Sequence, residues 1–589
     1  MQIRWTTALA SALFASTALV SAQAADVTQQ RLENARGEPQ NWLTSLGDLS
    51  AQRFSTLNQI NRDNVKNMKV AFTVPLSSTL KGLPATAGPL ENPPLVNDGI
   101  MYVNDVWGGV YRIDVSDGVW PKISWMTDPA VDKAGAYYWA TRGMALWGNQ
   151  AIVNLIDGRV VSMNATTGEI TWDEMLAGRN KAEYPESAAE AFTAAPLAVE
   201  GKILVGQSKG DWGTRGWLAA LDAKDGKQLW RTYTIPAKGE PGSETWKDDH
   251  NAWRTGGAAL WTTGSYDPAL KTTYWGTANP VPMYDPEFRP GDNLYTNSVI
   301  GFDINSGKMN WYFQYTANES WDYDEIGVHF LYDRTIGNET RKMVGHFARN
   351  GFLYQFDRTN GQFVSAAQYV NQVTWTKGID PKTGKPLEYN PALAVQTYLP
   401  ETRNSRANPK VNVCPSILGG LRWQPPSYNP TKQVAYAAGM EGCSDIEVQP
   451  VAPLGPQGGN PKGVNQTFIG GVQVSKTTGS IVAMNVNTNQ VVSKVQIPYE
   501  NLSGALATAG GLVFTGNLDG SVVAYNDDTL AEVWKFYTGI SIKAPPIAYS
   551  VNGKQYIAIV AGGAPAPGSS KPKELSTMGQ GAMLYVFTL

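Results

Sequence analysis

A pattern that returns along the chain constrains its fold more than any other feature. Each copy is a short β-rich run, an Asp or Asn, a few polar residues, a Gly, and a second β-rich run that often ends in Trp. Since the Asp or Asn side chain supports a turn and Gly accepts a positive φ, each copy predicts a β-hairpin. The clear copies end at Trp125, Trp172, Trp230, Trp311 and Trp534, and weaker ones surround Asp357 and Asn485.

Repeated hairpins of this kind predict a β-propeller. A single small sheet cannot bury both of its faces, whereas sheets stacked radially can, with each Trp lying flat between neighbours. Seven copies and a closing strand, MLYVFTL, predict an all-β, eight-bladed β-propeller over residues 25–589. The alternative, a pair of β-sandwiches, does not explain why Trp recurs in one phase of the repeat.

Long irregular insertions interrupt the repeats at residues 236–254, 280–293 and 371–412. They contain Pro and Gly and no clear periodicity. Loops of this length in a compact fold are usually functional. We expect them to cap one face of the ring and to form the wall of a substrate site.

The first residues are typical of an export signal. Arg4 precedes an apolar run over residues 8–20, and Ala22-Gln23-Ala24 is a small-x-small cleavage site. The run is too short to span a bilayer as a mature helix, so we predict a removable signal peptide over residues 1–24 and a periplasmic location. The alternative is a buried N-terminal helix. No later stretch is long and apolar enough to predict a membrane span.

Composition excludes several classes of protein. A net charge of -3 and a pI near 5.8 provide no basic surface for nucleic acid. Three His and two Cys argue against a His-rich metal site, a zinc ribbon or a dense disulfide scaffold. The chain contains no C-x-x-C-H motif, so it does not attach a c-type haem covalently.

A few oxygen-bearing side chains predict a cation site. Asp322 and Asp324 are two residues apart in WDYD and point the same way if that segment is extended. Two carboxylates forced together repel each other unless a cation lies between them. Asp211 and Asn279 add the oxygen ligands that hard cations prefer. The alternative is that Asp211 and Asp324 are solvated turn residues.

Several segments, together with the repeat, make the chain resemble the family of alcohol dehydrogenases that depend on pyrroloquinoline quinone (PQQ), in particular the lanthanide-type methanol and ethanol dehydrogenases. The segments include NWLTSLGDLSAQRF, YWGTANPVP, RPGDNLYTNS, ESWDYD and PPIAYSVNGKQYIAIVAGG, and the resemblance covers nearly the whole mature chain. It implies oxidation of an alcohol by PQQ beside a metal ion, with electrons passed to a periplasmic cytochrome c. It leaves open whether the protein is a homodimer.

The resemblance also implies roles for the four oxygen-bearing residues. Asp211 and Asn279 match metal ligands, Asp322 matches the catalytic base beside the metal, and the extra carboxylate of Asp324 matches the lanthanide-using branch. A trivalent ion offsets more repulsion between carboxylates, so a lanthanide is favoured over calcium. The family usually has Glu at the position of Asp211. The shorter side chain is expected to shift the ion, admit a water ligand or alter the metal preference.

For the cofactor, the resemblance implies a cradle of aromatic, cationic and hydroxyl groups. Trp261 matches the Trp that stacks beneath the quinone, Arg142 a cation that pairs with a carboxylate, and Arg349 a cation near the reactive oxygens. From the residues alone, Trp261 also fits an inter-blade contact, and both arginines fit surface ion pairs. The complete implied set is Glu91, Arg142, Thr193, Ser208, Lys209, Gly210, Trp261, Arg349 and Arg422.

Three departures from the family pattern point to a different alcohol. Ala136-Tyr137 stands where the family has adjacent cysteines, so that strained ring is absent and an aromatic wall over residues 137–139 is expected in its place. Arg422 stands where a cofactor-contacting Asn is common, and Leu502 where a pocket-lining Trp is common. Less bulk at Leu502 enlarges the cavity, which predicts a substrate larger than methanol, such as a bulky secondary alcohol.

The remaining predictions concern the cysteines and the rival functions. Cys414 and Cys443 match a structural disulfide of the family, and an exported chain favours pairing; the alternative is a free or redox-active thiol.

Two other functions fit a propeller: a non-enzymatic envelope scaffold, and a sugar or polyol dehydrogenase that uses the same cofactor. A scaffold does not need the combination of acidic, arginine and tryptophan residues described above.

Overall fold

The computed structural model of the protein describes residues 24–76, 89–133, 140–178, 182–183, 189–448, 450–453, 472–474, 477–563, 575, 578–579 and 581–589. The apolar part of the predicted signal peptide and the expected aromatic wall at 137–139 lie outside these residues. The described chain forms eight four-stranded antiparallel blades, which confirms the predicted propeller.

Seven blades are each built from four antiparallel strands in chain order. Their strands are Leu95–Asn97, Ile100–Asn104, Val110–Asp114 and Lys122–Thr127 (blade 1); Met144–Trp147, Gln150–Asn154, Arg159–Asn164 and Ile170–Met175 (blade 2); Leu197–Val199, Lys202–Gly206, Trp217–Asp222 and Gln228–Tyr233 (blade 3); Ser265–Asp267, Thr272–Gly276, Ser298–Asp303 and Met309–Gln314 (blade 4); His329–Ile336, Glu339–Phe347, Phe352–Asp357 and Gln362–Gln368 (blade 5); Ser427–Asn429, Val434–Glu441, Thr478–Asn485 and Gln490–Ile497 (blade 6); and Leu506–Thr508, Leu512–Gly516, Ser521–Asn526 and Glu532–Tyr537 (blade 7).

The eighth blade joins the two ends of the chain. Ile547–Val551, Lys554–Gly562 and Ala582–Thr588 form its first three strands, and Lys69–Pro75 adds the fourth. The predicted closing strand therefore pairs antiparallel with a strand near the N-terminus. This pairing closes the ring, so the last blade leaves no unpaired gap beside the first.

A few short elements lie outside the blades. A helix, Gln29–Glu33, precedes the ring, and Phe54–Ser55 pairs in parallel with the first strand of blade 7. A small sheet combines Lys410–Val413, Ser444–Glu447 and Val472–Val474. Single 3₁₀ turns occupy Ala35–Gly37, Val65–Asn67, Gly210–Trp212, Ser243–Thr245, Ala252–Thr255 and Pro286–Phe288. Within the described ranges, none of the helices has the length and apolar character needed to cross a membrane.

The recurrent tryptophans connect neighbouring blades, as the repeat predicts. The ring of Trp172 packs on Gly226, in the next hairpin, and its indole N–H donates to the carbonyl of Ala223 over 3.2 Å. Gly226 has φ +77°, and a Cβ there would lie 2.7 Å from the ring. Glycine is therefore required both by the turn and by the stacked indole. Trp230, Trp311 and Trp534 likewise donate to the carbonyls of Ile304, Arg358 and Met68.

Strand order brings one end of every blade to the same face of the ring. In an antiparallel blade, the segment leading into the first strand and the loop between the second and third strands lie at the same edge. In blade 3 the first strand is buried throughout while the fourth is exposed or half-buried, so each blade runs from the centre outwards. Residues in these lead-in segments and second loops therefore gather around the centre of one face.

The three insertions pack against one another and against the lead-in segment of blade 5. Gly291 donates to the carbonyl of Ala394 over 2.5 Å, which joins the second insertion to the third. The indole N–H of Trp321 donates to the carbonyl of Thr402 over 2.8 Å, so the third insertion contacts the WDYD segment directly. The predicted disulfide is also present, because the sulfurs of Cys414 and Cys443 are bonded.

The stacking of tryptophan on glycine can be tested at Gly307, which has φ +69° and would place a Cβ 2.4 Å from the ring of Trp230. Gly307→Ala combines a left-handed backbone cost of about 1–2 kcal/mol with an overpacking cost of about 1–3 kcal/mol. Gly239→Ala is the matched control, since Gly239 has φ +93° but no atom within 4 Å of a Cβ. We expect a larger fall in melting temperature for Gly307→Ala, and equal falls would contradict the stacking argument.

Candidate active site

Three carboxylates converge on the face where the lead-in segments gather. Oxygen atoms of Asp211, Asp322 and Asp324 lie within 4.8 Å of one another. Asp211 is in the second loop of blade 3, and the two other residues are in the lead-in segment of blade 5. Blade topology thus brings Asp211 together with Asp322 and Asp324, which are far from it in the chain. The alternative that Asp211 and Asp324 are solvated turn residues is wrong for Asp324, which is 3 % exposed.

Asn279 and Arg349 complete this group, which we call the carboxylate cage. The main-chain N–H of Asn279 donates to Asp324 Oδ1 over 2.8 Å, and its side-chain oxygen is buried with no hydrogen-bond partner among the described residues. Arg349 Nη1 lies 2.6 Å from Asp324 Oδ2 and Nη2 lies 3.4 Å from Asp322 Oδ2. An unpaired amide oxygen beside three carboxylates is the donor set that a hard cation prefers.

One guanidinium does not compensate three carboxylates. Burial, with Asp324 nearby, raises the pKa of Asp211 to about 7. Burial also raises the pKa of Asp322 well above its ordinary value, although Arg349 opposes the shift. A multivalent cation would offset this repulsion and keep the carboxylates ionised at neutral pH.

Glu319 shapes the segment that carries Asp322, although sequence reasoning missed it. Its Oε1 accepts the main-chain N–H groups of Trp321 and Tyr323, on either side of Asp322. Asp322 itself has φ +66°, an unusual conformation for a residue other than Gly. The carboxylate of Glu319 therefore holds the turn that directs Asp322 into the cage, and the only signal in the sequence is an acidic residue three positions before it.

A second group of polar side chains forms from blades 1 to 3. Glu91 Oε2 lies 2.8 Å from Arg142 Nη2, and both side chains are buried. Arg142 Nη1 donates to the hydroxyl of Thr193 over 2.7 Å, and that hydroxyl is 3.0 Å from the hydroxyl of Ser208. Each residue comes from a lead-in segment or a second loop. The surface ion-pair alternative is wrong for Arg142, whose side chain is 8 % exposed, and for Arg349, which is buried within the cage.

Two tryptophans flank these groups. The guanidinium of Arg142 lies 4.6 Å from the centre of the Trp261 ring and 5.2 Å from that of Trp423. The two rings are 6.3 Å apart, Trp423 is buried and Trp261 is half-buried, so Trp261 faces the site. Sequence reasoning missed Trp423, which directly follows Arg422 in the lead-in segment of blade 6.

Arg422 lies between the two groups. Its guanidinium is 5.0 Å from the Trp423 ring, and its charge favours the ionised forms of Glu91, Asp211 and Asp322. Lys209 and Gly210 directly precede Asp211; Lys209 has φ +68°, and its pKa is lowered by burial. Leu502 belongs to an apolar cluster that includes Trp261 and Trp423. The structure therefore gathers the predicted site residues at one face.

Blade 8 also contributes to the site. Lys543, in the lead-in segment of that blade, is buried, and its charge favours ionisation of Glu91. Each of the eight lead-in segments thus supplies at least one residue around the centre. They are Glu91, Arg142, Thr193, Trp261, Asp322 with Asp324, Arg422 with Trp423, Leu502 and Lys543.

These residues suit a flat, polyanionic cofactor beside a metal ion. Arginines, a lysine and hydroxyls can bind carboxylates, two indoles can contact a planar ring, and the carboxylate cage can hold a cation. The fold and the site together define a propeller whose central face binds a flat anionic group next to a metal.

Comparisons with known proteins agree with this chemistry. Residues 42–373 and 469–557 match the family model described as "PQQ: Glucose/ethanol/alcohol dehydrogenase, beta-propeller domain". The chain is 33% identical to the quinohemoprotein alcohol dehydrogenase ADH-IIG of Pseudomonas putida, covering 94% of this chain and 77% of that protein. It is 30% identical to the quinoprotein alcohol dehydrogenase PedH of Pseudomonas putida KT2440, covering 98% and 96%.

Solved structures show the same similarity. A europium-containing methanol dehydrogenase superposes with a TM-score of 0.83 at 26% identity, over 95% of this chain and all of that one. The chain therefore belongs to the family of PQQ-dependent glucose, ethanol and alcohol dehydrogenases. More narrowly, it is a quinoprotein alcohol dehydrogenase, an enzyme that uses PQQ and a metal ion.

Proposed function

We propose that this quinoprotein alcohol dehydrogenase oxidises an alcohol larger than methanol, with Asp322 as the base that removes the hydroxyl proton. The observation that carries the proposal is the carboxylate cage, which lies beside the group formed by Arg142, Trp261 and their neighbours. The product is the corresponding aldehyde or ketone. A scaffold would not need these buried charges, and the relatives named above support an alcohol over a sugar.

The chain's own residues would hold the reactants and move one proton. When bound, PQQ supplies the two-electron oxidant that takes the hydrogen of the alcohol carbon, and the metal supplies a Lewis acid. Asp211, Asn279 and Asp324 would hold the cation, with Asp322 at its edge, while Arg142, Thr193, Ser208 and Trp261 would hold the cofactor. The carboxylate of Asp322 accepts the proton of the alcohol hydroxyl. Arg349 donates one long hydrogen bond to that carboxylate, over 3.4 Å, and provides positive charge where negative charge develops.

Asp322→Asn tests the proposed base. The amide keeps the shape of the side chain but cannot accept a proton, so we expect alcohol oxidation to fall by about 10²-fold or more. The assay is reduction of an artificial dye by the reconstituted enzyme with PQQ and metal. Circular dichroism and thermal melting should show an intact fold, and normal turnover in this variant would exclude Asp322 as the base.

The cage favours a lanthanide, with calcium as the alternative. Arg349 offsets one of the three carboxylate charges, and the attraction of the cage for a bound ion grows with the charge of that ion, which favours a trivalent over a divalent ion. Asp324 is the residue that adds the third carboxylate. Asp211 has a shorter side chain than the usual Glu, which leaves room for a water ligand.

Asp324→Ala tests the metal preference. Removing one carboxylate lowers the charge of the cage, so we expect lanthanum to lose at least tenfold in affinity while calcium loses less. Titration calorimetry of metal binding to the metal-free protein, followed by assays with each ion, measures the change. Higher activity of the wild-type enzyme with calcium than with lanthanum would reject the lanthanide assignment.

The proposed substrate class follows from the apolar cluster near the cofactor residues. Leu502 packs with Trp423, Met440 and Leu518, close to Trp261. Leu at this position is less bulky than Trp, which favours an alcohol larger than methanol. We propose a bulky secondary alcohol as the substrate class.

Leu502→Trp should narrow the specificity. We expect kcat/KM for a bulky secondary alcohol to fall about tenfold or more relative to that for ethanol, because the indole fills the space. Leu502→Met conserves the volume and serves as the control. A panel of primary, secondary and polycyclic alcohols measures the ratio, and an unchanged ratio in the Trp variant would separate Leu502 from the substrate pocket.

The partners and location are proposed from the sequence and the family. The segment 1–24 would export the chain to the periplasm, where a cytochrome c would accept electrons one at a time. A homodimer is the proposed assembly, to be measured by light scattering.

A further inference from the structure

Tyr284 has a buried hydroxyl that the mechanism so far does not use. The side chain is fully buried, and its hydroxyl has no hydrogen-bond partner among the described residues. A buried hydroxyl without a partner costs stability, and Phe would fill the same space without that cost. Such a group calls for a ligand or a functional partner.

Tyr284 lies beside the segment that carries Asp322, because it belongs to the same buried cluster as Trp321 and Tyr323, the two neighbours of Asp322. Burial first, and then the negative charge of Asp322, raise the pKa of Tyr284 well above its ordinary value. The backbone of Tyr284 is fixed at this place, because Asn404 Nδ2 donates both to its carbonyl and to that of Ser320, over 3.0 and 2.9 Å. Asn404 therefore ties the backbone at Tyr284 to the segment that carries Asp322.

Asp322 is held by fewer and longer hydrogen bonds than Asp324. Its one hydrogen bond within the described part of the chain is from Arg349 Nη2, over 3.4 Å. Asp324 accepts from Arg349 over 2.6 Å and from Asn279 over 2.8 Å. A base on a loop with φ +66° and one long hydrogen bond needs a further donor to hold its orientation.

We propose that the Tyr284 hydroxyl donates a hydrogen bond to the Asp322 carboxylate in the working enzyme and so positions the base. A tyrosine hydroxyl has an ordinary pKa of about 10, so it keeps its hydrogen at neutral pH and can act as a donor. Towards a carboxylate a neutral phenol can only donate. Tyr284 is thus a positioning residue that acts through Asp322.

This inference rests on the proposed role of Asp322, and the experiment separates the two. Tyr284→Phe is compared with Tyr398→Phe in the fully reconstituted enzyme. Tyr398 is the matched control because it is buried in the same cluster and its hydroxyl donates to the carbonyl of Ala317 over 2.6 Å.

For Tyr284→Phe we expect an unchanged or higher melting temperature, a fall in kcat of about tenfold or more, and KM and metal affinity within about twofold of the wild type. For Tyr398→Phe we expect the opposite pattern, a lower melting temperature with unchanged kcat. In the Asp322→Asn background, adding Tyr284→Phe should not reduce the residual rate of single-turnover cofactor reduction any further.

Three results would overturn the inference. They are an unchanged kcat in Tyr284→Phe, a loss that is fully additive with Asp322→Asn, and a fall in metal affinity that matches the fall in kcat, which would make Tyr284 a metal ligand. If Asp322→Asn itself retains full activity, the proposed base fails as well. If Asp322→Asn is inactive but Tyr284→Phe is normal, only this inference fails.

Discussion

The repulsion among three neighbouring carboxylates is the constraint on which the site depends. Asp211, Asp322 and Asp324 bring their oxygens within 4.8 Å in a buried place where water offers little screening. Arg349 compensates part of the negative charge of the carboxylates. The unpaired side-chain oxygen of Asn279 beside them indicates that a cation would compensate the rest. In the proposed mechanism the same negative charge would bind the metal and supply the base beside it, so both proposed functions would share one electrostatic origin.

Different blades of the propeller contribute the residues of this arrangement. Within the described residues no single blade holds a complete site. The cage comes from blades 3 to 5, and the residues proposed to hold the cofactor come from blades 1 to 4 and 6, namely Glu91, Arg142, Thr193, Ser208, Trp261 and Arg422. Arg422 lies between the two groups and acts on carboxylates of both. A change in one blade therefore reaches the chemistry through charge as well as through packing.

The propeller and part of the candidate site could be predicted from the sequence, because the residues that form each hairpin recur at a regular spacing. The Trp of one hairpin packs on the Gly of the next, where a Cβ would clash with the ring, so the spacing of Gly and Trp predicts the blades. The WDYD segment predicts adjacent carboxylates. Glu319, Glu325, Tyr284 and Trp423 could not be predicted. Each is an ordinary residue type outside a repeated motif, and its role arises only when loops distant in the chain meet. Glu325, for example, follows WDYD but accepts the main-chain N–H of Arg349 and pairs with His346, which no spacing indicates.

Ring closure also makes the site depend on strands that are far apart in the sequence. Lys69–Pro75 pairs with Ala582–Thr588, and together with Ile547–Val551 and Lys554–Gly562 they form the blade whose lead-in segment carries Lys543. The site therefore depends on this pairing, and removal of Ala582–Thr588 would cost affinity for the cofactor together with the eighth blade.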